Sequence, residues 1–254
     1  MESDFVLHKA TEKEPFVIVN KPKGLPSAPL KKGDSSALTL VSNEFPECLE
    51  VKGKKAVEGG LVHRIDTETS GLLLIAVTQD FYDFIQRIQD EGRFIKTYSA
   101  SCTKLLNHDD DSYPPCPIIN METGKEYKIS SYFRHYGPSR KSVRPVTDES
   151  PLMARKKAGS VLYETSVKIM SVDKDAIQVE CKIARGFRHQ VRCHLAWLGF
   201  PVIGDEIYNP EKSDKEMQFS ATGLSFPLTD GSCFEFNFIR KPSAFRRGLP
   251  GEPG

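Results

Sequence analysis

The stretch Gly59-Gly60-Leu61-Val62-His63-Arg64-Ile65-Asp66-Thr67-Glu68-Thr69-Ser70-Gly71, followed by Leu72-Leu73-Leu74-Ile75-Ala76-Val77, decides the reading of this chain. The apolar run is short and bounded, with the length and bulk of a buried strand. Just ahead of it, between His63 and Glu68, lie an imidazole, a guanidinium and two carboxylates. Gly60 and Gly71 flank them and permit close backbone approaches that a side chain would block. Polar loops at the ends of buried strands are where catalytic groups are commonly mounted. Read alone, the same residues also describe a polar turn in which Arg64 pairs with Asp66 or Glu68, an ion pair of little energetic weight.

Upstream, Phe16-Val17-Ile18-Val19 reads as a strand broken by Asn20-Lys21-Pro22-Lys23-Gly24-Leu25-Pro26, a stiff loop that presents Lys21 and Lys23. A weak helical hint spans Ala37 to Phe45. Downstream, Asp80 to Asp90 is an amphipathic helix with Phe81, Phe84, Ile85 and Ile88 on its buried face. Arg93 to Ala100 returns as a strand rich in aromatic and β-branched residues. This β-α-β order sets Asp66 before one strand and Tyr98 within the next. Residues 106–125 are an acidic, proline-bearing loop, and Glu126 to Arg134 a strand. Residues 137–159 are a long basic loop. Leu162 to Val172 and Ala176 to Ile183 alternate as a hairpin around Asp173-Lys174-Asp175. From about His189 the chain is helical, with Val191, Leu195 and Leu198 on one face and Gly199 as the stop. An ordered loop follows to Asn209, with Asp205 and Tyr208 holding its shape. A last strand pair ends in Phe234, Phe236 and Phe238, and the tail from Ser243 to Gly254 is frayed. The sum is one α+β domain with much antiparallel sheet and a core from about 16 to 238.

Across 254 residues the net charge is only +1, yet the basic residues cluster. They gather at Lys52 to Lys55, Arg140 to Arg144, Arg155 to Lys157, Arg185 to Arg192, Arg240-Lys241 and Arg246-Arg247, while acid collects at Asp109 to Asp111 and Glu211 to Glu216. Each cluster taken singly fits a solvated face; their distribution is what favours a polyanion partner. The six cysteines are scattered without a C-x-x-C pair, as in a reduced cytoplasmic protein. The acidic start shows no signal peptide, and no apolar run is long enough to span a membrane.

Four stretches together resemble the RluA-type RNA pseudouridine synthases. They are Val19-Asn20-Lys21-Pro22-Lys23-Gly24, His63 to Gly71, Lys96-Thr97-Tyr98-Ser99-Ala100, and Gly186 to Leu195 running on to Gly204-Asp205-Glu206-Ile207-Tyr208. The H-R-[LI]-D-x-x-T-S-G signature is complete, and the G-x-x-H-Q-[IV]-R-x-H-L helix is intact. The likeness covers about Phe16 to Phe238. It implies the pseudouridine synthase fold: a long, bent, mainly antiparallel sheet flanked by helices, with a central RNA cleft. It implies Asp66 as the catalytic carboxylate, Tyr98 as the aromatic that packs on the flipped base and takes its C5 proton, and Arg192 as the partner of the carboxylate. Substrate contacts are expected from Lys21, His63, Arg64, Thr69, Lys96, Arg188, His189 and Gln190. The family implies no cofactor or metal, a mostly monomeric state, and ribosomal or transfer RNA as substrate. Two departures stand out. Gly186-Phe187-Arg188 replaces the Gly-Arg-Thr of many relatives, which displaces an arginine, and a separate N-terminal RNA-binding domain is not expected, so target choice falls to loops such as 137–159.

The residue types suit the chemistry. Uridine loses its N1–C1′ bond, turns and rejoins through C5. A carboxylate serves this by adding to the sugar or the base, or by removing a sugar proton. An arginine keeps that carboxylate ionised, and reaching the base within folded RNA requires flipping it out. Two other classes fit the residues less well. A metallohydrolase built on His63, His189, His194 and Asp66 lacks the i,i+4 histidine pair and any H-E-x-x-H. A non-catalytic RNA-binding protein is disfavoured by the intact Asp66, Tyr98 and Arg192 set.

Overall fold

The computed structural model describes residues 5–238 apart from 32, 105–109, 119, 174–175 and 212. The chain runs β1 (Val6–His8), β2 (Phe16–Lys21), α1 (Ala37–Val41), β3 (Ser70–Ala76), α2 (Gln79–Asp90), β4 (Ile95–Cys102), β5 (Glu126–Tyr136), β6 (Ser142–Val146), α3 (Leu152–Lys156), β7 (Tyr163–Val172), β8 (Ile177–Ile183), α4 (Gln190–Trp197), β9 (Phe219–Pro227) and β10 (Cys233–Asn237). The strands join one sheet in the order β1-β2-β3-β9-β4-β8-β7-β5-β6, and β10 branches from β9. Among the described pairings only β3–β9 is parallel.

The apolar run that marked β3 is continuous because both of its faces are covered. Leu73 and Ile75 join Val17 and Val19 of β2 in the core on one face. Leu72, Leu74 and Ala76 join Phe16 and Ile18 on the other. α1 and α4 cover the first face, and α2 the second. Thr78 starts α2 by accepting from the Phe81 amide at 3.4 Å. The buried face of α2 takes Tyr82 in addition, its hydroxyl accepting from the Lys54 amide at 3.0 Å, while the expected Phe84 packs against the same cluster partly buried.

The β-α-β reading holds in chain order but not in the sheet. β9 inserts between β3 and β4, so Gly71 lies opposite Ala221 and Ala221 opposite Tyr98. Tyr98 thus stands two strand spacings, about 10 Å, from the end of the motif loop. At Gly71 the approach of β9 is so close that a Cβ would overlap the Ala221 backbone.

Residues 137–159 are not a loop throughout, because they contain β6 and α3. β6 escaped notice because Ser142-Val143-Arg144-Pro145-Val146 offers little alternation. Its proline is tolerated on the last strand of the sheet, where an amide has no partner strand to serve. α4 was expected to be amphipathic, yet all eight of its residues are buried. The helix is enclosed by the sheet face and by the 113–118 segment, where Trp197 donates to the Pro114 carbonyl at 2.9 Å. The hairpin turn at Lys174-Asp175, Asp109, the tail from Ser243 and the clusters at Arg240-Lys241 and Arg246-Arg247 lie outside the described residues.

Candidate active site

The Asp66 loop is clamped by the segment that leaves β2. Lys21 is completely buried, and its ammonium donates to the carbonyls of Pro22 (2.9 Å), Leu25 (2.7 Å) and Thr67 (3.1 Å). The Gly24 amide donates to the same Thr67 carbonyl at 2.8 Å. Ser27 Oγ donates to the Ile65 carbonyl at 2.8 Å. The Thr69 amide closes the turn on the Asp66 carbonyl at 3.0 Å. Prolines and glycine in 20–26 make a rigid brace, and its role is to hold the carboxylate loop. Burial pulls the Lys21 ammonium down to about 8, against the opposing charges of Glu68 and Asp66.

α4 brings Arg192 to the loop from 126 positions away. Its Nη1 donates to Asp66 Oδ2 at 2.9 Å, while Nε and Nη2 grip Asp205 side-on at 2.7 Å each. Asp205 is buried, and its Oδ1 also accepts from the amides of Ile207 (2.9 Å) and Tyr208 (3.2 Å). Burial works against the guanidinium, but the bonds and charges of Asp205 and Asp66 overcome it and raise Arg192 further above its ordinary range. Asp66 keeps 27% of its side chain exposed, against 5% for Arg192. The result is a carboxylate fixed at one oxygen and open to solvent.

Two more groups border it. His189 caps α4 in the left-handed region at φ 56°, a conformation a non-glycine residue holds only when its surroundings enforce it. Its Nε2 lies 3.6 Å from Asp66 Oδ2 and its Nδ1 3.0 Å from the Tyr208 hydroxyl. Tyr98 is buried and stacks on Phe219 with ring centroids 5.2 Å apart and planes within 9°. Burial, reinforced by the Asp66 charge, pushes its phenol well above the ordinary tyrosine value, so it is a neutral O–H at physiological pH.

The other candidates separate into braces and surface groups. His63 turns inward, accepting from the Leu74 amide at 3.3 Å with its ring edge-on to Phe94. Lys96 is buried, donates to the Ala184 carbonyl at 2.8 Å and lies over Phe94; burial lowers it to about 7. Thr69 is buried, and Gln190 is spent on the Glu164 carbonyl, Thr165 Oγ1 and the Phe187 amide. Lys21, Lys96 and Gln190, expected as RNA contacts, are interior braces whose polar ends are consumed by the chain, whereas the buried Thr69 hydroxyl has no hydrogen-bond partner among the described residues. Arg64 pairs with Glu58 at 3.0 Å and not with Asp66 or Glu68. Arg188 is exposed, with one bond to the Arg140 carbonyl at 3.4 Å.

Sequence reasoning placed Asp205 and Tyr208 in their loop but missed their bonds to Arg192 and His189. It missed Phe219 altogether, since nothing in Phe219-Ser220-Ala221 marks an aromatic destined to back Tyr98. It also missed Arg144, which lies among Tyr113, Tyr136 and Tyr208 and donates to Asp110 at 3.1 Å. His194, once a possible metal ligand, is enclosed between Ser131 at 2.9 Å and Thr165 at 2.8 Å.

A sequence model of the family described as RNA pseudouridylate synthase matches residues 15–197. A Bacillus subtilis protein named as the uncharacterised RNA pseudouridine synthase YlyB is 28% identical over 230 residues, covering 89% of this chain and 66% of its own length. The ribosomal large subunit pseudouridine synthase D of Zymomonas mobilis is 25% identical over 211 residues, covering 82% and 58%. The chain spans less than two-thirds of either curated relative. The solved structure of human RNA pseudouridylate synthase domain containing 1 superposes with a TM-score of 0.64 at 18% identity, covering 93% of this chain and 83% of that one, a likeness of fold.

Proposed function

This chain belongs to the RNA pseudouridylate synthase family, and on that premise we propose that it isomerises uridine in an RNA to pseudouridine, with Asp66 as the catalytic carboxylate. The observation that carries the proposal is the partly exposed Asp66 carboxylate, held at Oδ2 by a buried arginine 2.9 Å away. The reaction breaks N1–C1′, turns the base and forms C5–C1′; the C5 proton leaves and N1 gains one, so the composition is unchanged. A fixed, ionised carboxylate beside the sugar serves as nucleophile or base. Tyr98, backed by Phe219, offers a flat surface for a base swung out of its stack. As a neutral phenol it accepts a C5 proton only by passing on its own.

The positive charge at the carboxylate comes from Arg192, which supports action without a metal or cofactor. Four buried free cysteines (Cys48, Cys102, Cys181 and Cys193) fit a reducing compartment such as the cytoplasm. The name of the Zymomonas relative favours a large-subunit ribosomal RNA over a transfer RNA. The test is pseudouridine mapping of total RNA from cells with and without the gene. A site that vanishes without it, and returns with wild type but not with Asp66→Asn, gives both reaction and substrate. No changed site at adequate expression and coverage overturns the reading in favour of a binding protein.

A further inference from the structure

We infer that Tyr208 is a positioning residue whose hydroxyl, fixed by a backbone amide of β6, sets the tautomer of His189 so that Nε2–H faces Asp66. The inference rests on the catalytic reading of Asp66 given above. Three contacts in series carry it. The Val143 amide donates to the Tyr208 hydroxyl at 2.9 Å. That hydroxyl lies 3.0 Å from His189 Nδ1. His189 Nε2 lies 3.6 Å from Asp66 Oδ2.

A phenolic oxygen has one proton to give. Its oxygen already accepts from Val143, and among the described residues His189 Nδ1 is the acceptor within reach of its proton. Nδ1 then presents a lone pair, and a neutral imidazole must carry its proton on Nε2, toward the carboxylate. The other tautomer would strand the buried Tyr208 proton and set an Nε2 lone pair against a carboxylate oxygen. Both ends of the ring therefore select the same state. The ring is neutral at physiological pH: burial outweighs the pull of Asp66 and, with the charges of Arg192 and Arg188, holds His189 at about 4. At 3.6 Å the Nε2 contact is longer than a formed hydrogen bond and acts as an oriented dipole that tightens on substrate binding.

The consequence for the reaction is an assignment of oxygens. Arg192 Nη1 and His189 Nε2 both address Oδ2, so Oδ1 is the oxygen left for substrate. The Tyr208 ring is held in turn by the guanidinium groups of Arg192 and Arg144, 5.3 and 5.9 Å from its centre.

The test uses the protein labelled with 15N-histidine, free of RNA, with the His189 signals assigned through His189→Gln. Long-range proton–nitrogen spectra at neutral pH are expected to show a protonated Nε2 and a bare Nδ1. In Tyr208→Phe, which keeps the ring and removes the hydroxyl, the signals should move toward a tautomer mixture. In the same variant kcat on the mapped RNA should fall about tenfold with KM unchanged. A wild-type spectrum with the proton on Nδ1 overturns the inference, and that spectrum decides even where the variant fails to fold. An undisturbed tautomer or an unchanged kcat in Tyr208→Phe also overturns it. A tautomer set by Tyr208 in a protein that modifies no RNA sustains the relay and overturns the isomerase reading instead.

Discussion

Asp66 and Asp205 share one guanidinium. Asp205 takes Nε and Nη2 of Arg192 at 2.7 Å each, and Asp66 takes Nη1 at 2.9 Å. The two carboxylates differ in burial: Asp205 is fully enclosed, whereas Asp66 is partly open. The enclosed one serves as the anchor, and the open one is the carboxylate proposed to act on the substrate. Removing the anchor leaves a buried cation half-paired, so Asp205→Ala should lower the unfolding free energy by about 3–5 kcal/mol. Asp66→Asn, at the open end, should change it by about 1 kcal/mol or less. Urea denaturation of the two variants checks the order, and equal losses would refute the division of roles.

The brace at Lys21 and the surface group at Arg188 should fail in different ways. Lys21→Met leaves the Pro22 and Leu25 carbonyls without their donor, leaves Thr67 with the Gly24 amide alone, and loosens the Asp66 loop. It should lower kcat while the dependence of RNA affinity on salt stays as in wild type. Arg188→Ala should weaken binding and reduce the slope of log affinity against log salt by about one. Filter binding across a salt series, run beside single-turnover rates, separates the two. A reduced slope in Lys21→Met would make that lysine a phosphate contact after all.

Acid should destabilise the fold through its buried imidazoles. Burial holds His63 and His194 at about 3, and His189 is held at about 4, all below the ordinary value of 6.5. The unfolded chain therefore binds protons that the folded one refuses. Stability is whole above 6.5 and falls as pH drops toward those lowered values. Each such histidine adds a slope of about 1.4 kcal/mol per pH unit within that window. His194→Asn, which keeps an acceptor or donor near Thr165, should flatten the decline between about pH 6.5 and 4.5 by one such slope. Chemical denaturation at three pH values measures it, and an unchanged slope refutes it.

Gly71 should resist substitution. Its φ of +115° lies where other residues are strained, and the Ala221 backbone of β9 fills the space of a Cβ. Gly71→Ala should cost on the order of 3 kcal/mol. It should also displace β9 and with it Phe219, and so lower kcat. Thermal unfolding together with single-turnover kinetics tests this; a variant as stable as wild type would show that β9 yields.

Much of this was written locally. The bounded apolar run, the period of 79–90 and the alternation of 177–183 each state a choice between helix and strand, because a one-sided or two-sided core imposes its period on the chain. The resemblance to the family's motifs brought Asp66, Tyr98 and Arg192 forward as a set. Local pattern could not say that Lys21 and Lys96 turn inward, since a lysine in a loop or strand reads as exposed until its carbonyl partners are known. Nor could it find β6, whose pairing with β5 is visible only across the sheet.

What the sequence by itself determined is the class of the fold and the family, because these rest on short-range periodicity and on an unbroken motif. What only the tertiary structure decided is the use of each charge and the spacing around it: the insertion of β9 that puts one strand between Tyr98 and the end of the motif loop, the division of Arg192 between two aspartates, and the line from Val143 through Tyr208 to His189. Those arrangements join residues up to 126 positions apart. Their energies depend on burial and distance, quantities that a linear chain does not carry.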